Sequence, residues 1–408
     1  MSSIEPFPLT PVEVASGLVF GFGVAVSEPF GRRGVTPVAA FEAAVLEALD
    51  RPPCLVSFSG GRDSSAVLAV ATRVARREGL PLPIPATHRF PSVALSDEAT
   101  WQELVVEHLG LRDWFRNDVD DELDAVGPVS TSVLRRHGLL WPFNTFFHMP
   151  LLEAAKGGSL LTGICGDEVF GDSPWARARL VLSGSVLPRP RDALRVGLAL
   201  APVGVRARVL RRRLDADFPW LRYGILERVL RASAAEDATE PFGWAESFRW
   251  RHSLRYWQVA QRSLAVLAAD TDTKIVHPFA DQAFSAALAS LPRDRRFRTR
   301  SEAMAMLVGD WLPPALVSRV GKASFDAAFF NVHSRALTAA WGGEGADPAH
   351  VDVGALREHW QNPHPDGRSF LLVQAAWLAG AQATAVAESP DPGEKIPLSG
   401  WAADRPEE

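Results

Sequence analysis

This chain of 408 residues is poor in several residue types that mark whole classes of protein. It has two cysteines, Cys54 and Cys165. Neither belongs to a Cys-x-x-Cys pair, which argues against a zinc site or a redox dithiol. No apolar stretch is long enough to span a bilayer. The start, Met-Ser-Ser-Ile-Glu, lacks the basic-then-apolar pattern of a signal peptide, so a cytoplasmic location is the default expectation. The pattern Gly-x-x-x-x-Gly-Lys-[Ser/Thr] does not occur, which excludes a Walker-type phosphate loop. Net charge is −5, so non-specific nucleic-acid binding is disfavoured. Lysine is scarce: of 43 basic residues, four are lysines, at positions 156, 274, 322 and 395. The bias reads mostly as genomic base composition, but it makes each lysine worth inspecting.

What remains is ordinary for a globular enzyme, with 47% hydrophobic and 22% charged residues in a length suited to one large or two ordinary domains. The organising stretch is Ser59-Gly60-Gly61-Arg62-Asp63-Ser64-Ser65. The apolar run Cys54-Leu-Val-Ser-Phe58 before it reads as a buried parallel strand, and residues 66–76 after it keep apolar side chains at helical spacing. Two glycines let the backbone turn tightly and approach a ligand. The helix N-terminus then offers N–H groups and partial positive charge to an anion. Ser59, Ser64 and Ser65 add hydroxyls. Asp63 either caps the helix or holds a divalent cation that bridges to phosphate. A plain strand–helix turn with Ser and Asp caps is the alternative.

Along the chain, residues 17–26 read as one or two Gly-interrupted strands and Pro37 to Leu49 as an amphipathic helix. Residues 51–118 alternate: strand 54–58, helix 63–79, strand 83–88, helix 97–109 and a strand near 113–117. This order predicts an α/β fold, a parallel sheet with helices on both faces. Ligands bind such sheets beyond the carboxyl ends of the strands. The aromatic-rich segment 141–150 reads as core. Ser159–Thr162 is a further strand, followed by Gly163-Ile-Cys-Gly-Asp-Glu-Val-Phe-Gly-Asp172, a second tight turn that presents acids at the same edge. A carboxylate there, Asp167, facing Asp63 is what a magnesium–pyrophosphate site needs. Residues 188–213 are basic, either a solvated face or a docking surface for an acidic peptide or carrier. From 220 onward helical periodicity dominates, with a helix over 280–291, giving a mainly α-helical C-terminal half.

The first loop resembles the SGGxDSS loop of the PP-loop ATP pyrophosphatases, an adenine nucleotide α-hydrolase-like fold, in the form used by asparagine synthetases and their relatives. The second resembles that family's GxGGDExFGG motif: Gly163, Gly166, Asp167, Glu168, Phe170 and Gly171 match, while Cys165 and Asp172 stand where glycines are usual. Val276-His-Pro-Phe-Ala-Asp281 resembles RxPFLD of the substrate cleft, with Val276 for the arginine and Lys274 where an acid is usual, so specificity for aspartate does not carry over. Residues 312–325 resemble LPxxxxxRxxKxxF, whose lysine is Lys322. The segment with His88 borders adenine in the family, and Asp97-Glu98 resembles its "DE".

The resemblance implies ATP and Mg²⁺ as cofactors, with Asp63 and Asp167 on the metal and Ser59, Gly60, Gly61, Ser64, Ser65, His88, Gly163 and Gly166 around ATP and pyrophosphate. It implies Lys322 at the reacting phosphate, with Arg298 and Arg300 either assisting there or merely flanking a helix, and Glu168, Lys274, His277 and Asp281 in a substrate cleft. The implied reaction adenylates a carboxylate for attack by an amine, as in lasso-peptide cyclases and β-lactam synthetases. The expected domains are a short extension of vestigial strands and a helix (1–50), the ligase domain (51–387) and a flexible tail (388–408). The extension leaves no room for the family's glutaminase domain. The amine therefore has to be free ammonia, a second substrate or the substrate's own amine, and a partner protein or leader peptide stays open. The rival readings are a non-catalytic peptide binder that keeps the fold, an ammonia-dependent amidotransferase, and a tRNA-thiolating relative, which the lack of paired cysteines disfavours.

Overall fold

The computed structural model describes residues 4–24, 34–93, 96–171, 173–214, 217–319 and 325–387, with side chains described to residue 382. Five parallel strands form one sheet: β1 (Cys54–Ser57), β2 (Ile84–Arg89), β3 (Phe115–Asp118), β4 (Ser159–Leu161) and β5 (Lys274–Val276). Their spatial order is β3-β2-β1-β4-β5. From β1 the chain moves outward through β2 to β3, then returns to the other side of β1 for β4. The switch point therefore lies between β1 and β4, where Leu55 pairs with Leu160 and Val56 with Leu161. In open parallel sheets this crevice is where ligands are bound.

Strand alternation splits the core in two. From β1 and β4, Cys54, Val56 and Leu161 face one cluster, which contains Phe41, Val67, Val70, Phe279 and Phe284. Leu55 and Leu160 face the other, with Phe146, Trp220, Leu267 and Phe370. Both faces are covered by helices, as the alternating pattern predicts. The helix Pro37–Leu49, capped by Thr36 at Ala39 N–H, buries Phe41 completely, with its ring edge-on to Phe279 and Phe284. Removing a fully buried ring of this kind costs about 3–5 kcal/mol. The aromatic segment before β4 packs as core: Phe143 and Phe146 both meet Phe329 edge to face.

Two elements differ from the sequence expectation. Among the described residues, 17–24 form no strand; Phe22 makes one isolated bridge, with Leu254. A short helix, Pro11–Ser16, with a Thr10/Glu13 capping box precedes them instead, and Gly17 ends it at φ 69°. Glycine runs lower strand propensity, and here they serve turns. Conversely, β5 was not anticipated: it is three residues long, all half-buried, too short for any alternation to show.

Candidate active site

The two loops sit on neighbouring strands and touch. After β1, Gly60 takes φ 81°, a conformation that favours glycine, and Gly61 stands at the N-cap of the helix Arg62–Glu78. No side chain caps this helix, so its first turn is open to an anion. The loop is stitched by hydroxyls instead. Ser59 Oγ lies 3.2 Å from Ser64 Oγ and accepts from Gly61 N–H at 3.3 Å, and Ser64 Oγ donates to the Gly61 carbonyl. Gln102 Nε2 donates to the Ser59 carbonyl at 3.2 Å. Ser59 is exposed, whereas Ser65 is fully buried and its hydroxyl has no partner among the described residues.

The second loop presses on the first. A Cβ on Gly163 would lie 2.8 Å from Ser64 N, and one on Gly166 would lie 2.5 Å from Asp63 Cγ. Both glycines are therefore required by close approach. Cys165, between them, adopts φ 70°. This is the left-handed region, which a glycine enters without the roughly 1–2 kcal/mol that a Cβ adds. The position where the related motif carries glycine is thus one where the backbone wants it. Asp167 and Glu168 open the short helix Gly166–Phe170.

Asp63 and Asp167 converge, and what joins them is Arg300. One guanidinium nitrogen pairs with Asp63 Oδ2 and the other with Asp167 Oδ1. Burial works against the charge on Arg300, but its bonds to Asp63 and Asp167 prevail and hold its pKa above the ordinary arginine value. Two carboxylates aimed at one cation, beside an uncapped helix terminus, fit a Mg²⁺–nucleotide, because Mg²⁺ is held by one or two carboxylates together with substrate phosphates. Among the described residues, no group of three or more His, Cys, Asp and Glu side chains is placed to hold a metal ion.

A second arginine ties the C-terminal half to the first loop. Arg319 pairs through both guanidinium nitrogens with Glu98, which is buried, and reaches the Gly60 carbonyl at 3.3 Å. Its guanidinium also lies over Trp101, 4.8 Å from the ring centroid. Phe325 meets Phe90 edge to face. Lys322, between these two anchors in sequence, lies outside the described residues, as does Asp172.

The remaining expected site residues divide. His88 ends β2 but spends both ring nitrogens on the protein: Nε2 bonds the Phe147 carbonyl at 2.9 Å, and Nδ1 meets Asn117 Nδ2 at 3.0 Å. Burial pushes its pKa down to about 4, so it is a neutral packing residue with no ring nitrogen left for a nucleotide. His277 follows β5 and shares a 2.6 Å hydrogen bond with Thr162; its Nε2 is buried without a partner among the described residues. Burial and the nearby His148 bring it down to about 3. Lys274 is a correction: it starts β5, at the end of the strand away from the loops, and pairs with Glu47 at 3.3 Å. Asp281 is another: its carboxylate accepts from Phe284 N–H at 2.7 Å and caps the helix Gln282–Ala289.

Glu168 lies near Tyr256, a residue missed from sequence. Burial, then the negative charge of Glu168, raises the Tyr256 phenol and keeps it protonated. The chain has two tyrosines, and the other, Tyr223, is exposed, so rarity was the available signal. Arg300, read from sequence as either assisting at the phosphate or flanking a helix, lies in the dense run Arg-Asp-Arg-Arg-Phe-Arg-Thr-Arg of residues 293–300 and sits against Asp63 and Asp167.

A parallel sheet whose switch-point loops pair an open helix terminus with convergent carboxylates defines an α/β enzyme acting on a nucleotide. Residues 39–383 match the family described as Asparagine synthase, and the chain belongs to it. Members of that family are ATP-dependent carbon–nitrogen ligases. No curated protein gives a significant match to the chain.

Proposed function

We propose that this protein forms an amide bond by adenylating a carboxylate of a peptide or other natural-product precursor, in a biosynthetic role that includes lasso-type macrolactam closure. The observation that carries the reading is the convergence of Asp63 and Asp167 on one cation beside the uncapped helix Arg62–Glu78. In the first half-reaction a substrate carboxylate oxygen attacks the α-phosphorus of ATP, the acyl-adenylate forms and pyrophosphate leaves. In the second, an amine attacks the acyl carbon, AMP leaves and the nitrogen loses a proton. Ser59 and the N–H groups at the start of the helix receive pyrophosphate oxygens. Asp63 and Asp167 would hold Mg²⁺, which when bound neutralises phosphate charge. Lys322 stabilises the charge that develops on the leaving groups. Glu168, half-buried next to Tyr256, would receive the proton.

The test is ATP–pyrophosphate exchange by the wild-type chain and Lys322→Ala, across carboxylates and candidate precursor peptides. Exchange that requires Mg²⁺ and a single acid substrate, and falls by about 10²–10³ in the variant, is expected. Failure of ATP to bind in calorimetry would sink the ligase reading and favour a peptide binder that merely keeps the fold.

A further inference from the structure

Immediately outside the carboxylate pair lies a cavity of about 340 Å³. It falls within the range of about 300–1,000 Å³ typical of ligand sites. Its walls come from the end of the second loop, the helix Ala176–Leu182, the helix Trp244–Ser253 and the segment 293–300. Phe170, Phe242, Trp244, Phe248 and Phe297 give it an aromatic body. Six arginines line it, at 179, 251, 293, 296, 298 and 300, and among the described residues no acidic side chain does.

Two of those guanidiniums share one carboxylate behind the wall. The buried Glu240 pairs with Arg179 at 3.1 Å and faces Arg251 at 3.8 Å, while Ser173 and Ser247 donate to the same carboxylate. Arg296 is held over Trp244 and bonds the Leu291 carbonyl; burial and its neighbour Arg293 weaken its hold on its proton. Among the described residues, the Arg298 guanidinium has one distant partner, Glu302, at 3.8 Å. Positive charge is therefore left over in a largely aromatic cavity. Its inner end is Arg300, the residue that touches Asp63 and Asp167. The field continues past the helix Ala176–Leu182. From Pro174 to Arg213 there are ten arginines and one acid, Asp192, and a further cavity of about 420 Å³ opens there beside Arg189, Arg195 and Arg213. Leu182, Leu187 and Leu194 stand exposed along the way.

We infer that this cavity binds the non-reacting part of the carboxylate substrate, and that this part is an acidic peptide with bulky apolar side chains. The inference rests on the ligase reading of the adjoining site. Aromatic walls take the apolar side chains, and arginines pair with carboxylates more strongly than with neutral amides. Continuity through Arg300 places the bound peptide next to the carboxylates that handle the nucleotide. A discrete, walled cavity favours a peptide over a membrane surface, which would contact exposed leucines on a convex face.

The probe is a fluorescein-labelled eight-residue peptide of alternating Glu and Leu with one Phe, compared with its Gln isostere by fluorescence anisotropy on the full chain. The acidic probe should bind at least about tenfold tighter at low salt, with the difference shrinking as salt rises. Arg293→Gln combined with Arg296→Gln should reduce it to the level of the isostere. Ala176→Trp, which fills the cavity, should weaken both peptides. Equal binding of the two peptides, or acidic-probe affinity unchanged in both variants, overturns the inference. Capture of the chain by phosphatidylserine vesicles in an Arg293-dependent way, without acidic-peptide binding, replaces it with a membrane surface. ATP binding, measured by calorimetry on the same samples, tests the nucleotide reading separately.

Discussion

The edge where residues 59–65 meet residues 163–171 and the arginine-lined cavity beside it are built on opposite terms. At the edge, backbones touch: Gly163 and Gly166 have no room for a Cβ, and hydroxyls stitch the turn. In the cavity, long guanidinium side chains and rings leave open volume, although Gly171 in its wall also has no room for a Cβ. The edge holds one ligand geometry through fixed atoms, whereas the cavity selects by sign of charge and apolar bulk. A common phosphate chemistry needs the first, and a substrate that differs between relatives needs the second.

The largest effects should fall on the edge. Asp63→Asn or Asp167→Asn should lower pyrophosphate exchange by about 10²–10³. Gly163→Ala should do comparable damage, because its methyl would meet the Ser64 amide nitrogen at 2.8 Å. Full exchange activity in Gly163→Ala would break the comparison at its strongest point. Next comes the clamp between the halves. Arg319→Ala leaves the buried Glu98 without its bidentate partner and should cost about 3 kcal/mol in denaturant melts. Arg319→Lys should recover only part of that, because one ammonium cannot replace two guanidinium contacts.

A pH series separates the regions differently. His88, His148 and His277 sit behind the edge with pKa values lowered by burial to about 4, 4 and 3. Each is depressed below the ordinary 6.5, so the folded state takes up fewer protons than the unfolded chain. Stability should be complete above pH 6.5 and decline as the pH falls toward 4. His277→Gln should flatten the melting-temperature slope between pH 7 and 5, while acidic-peptide binding through arginines stays level from pH 6 to 9. An unchanged slope would remove His277 from that account. The smallest effect is expected at Cys165→Gly. Relief of roughly 1–2 kcal/mol of left-handed strain is offset by lost side-chain burial, and the net shift should stay under about 1 kcal/mol.

Much of the edge was legible because glycines, hydroxyls and acids follow strands at short, fixed spacing. The helix Pro37–Leu49 and strands β1, β2 and β4 appear within a residue or two of their expected limits. What escaped was long-range. Nothing near Arg300 says that it spans Asp63 and Asp167, which are 237 and 133 positions away. Arg319 was visible as a motif letter, but its partner Glu98 lies 221 residues earlier. Lys274 misled because position in a motif does not say which end of a three-residue strand a side chain occupies. Asp281 misled because an acid before an Ala-rich helix also reads as a cap, and that is the role it has.

The interlock of Gly163 and Gly166 with the first loop also bears on how such a protein can change over generations. A residue gained in bulk or length on one loop has to be matched on the other, so viable variants of this region arise as correlated replacements. Arg179, Arg251 and Arg300 are tied to carboxylates, so single exchanges that change the substrate fall to the rest of the arginine wall, while the machinery between β1 and β4 is kept.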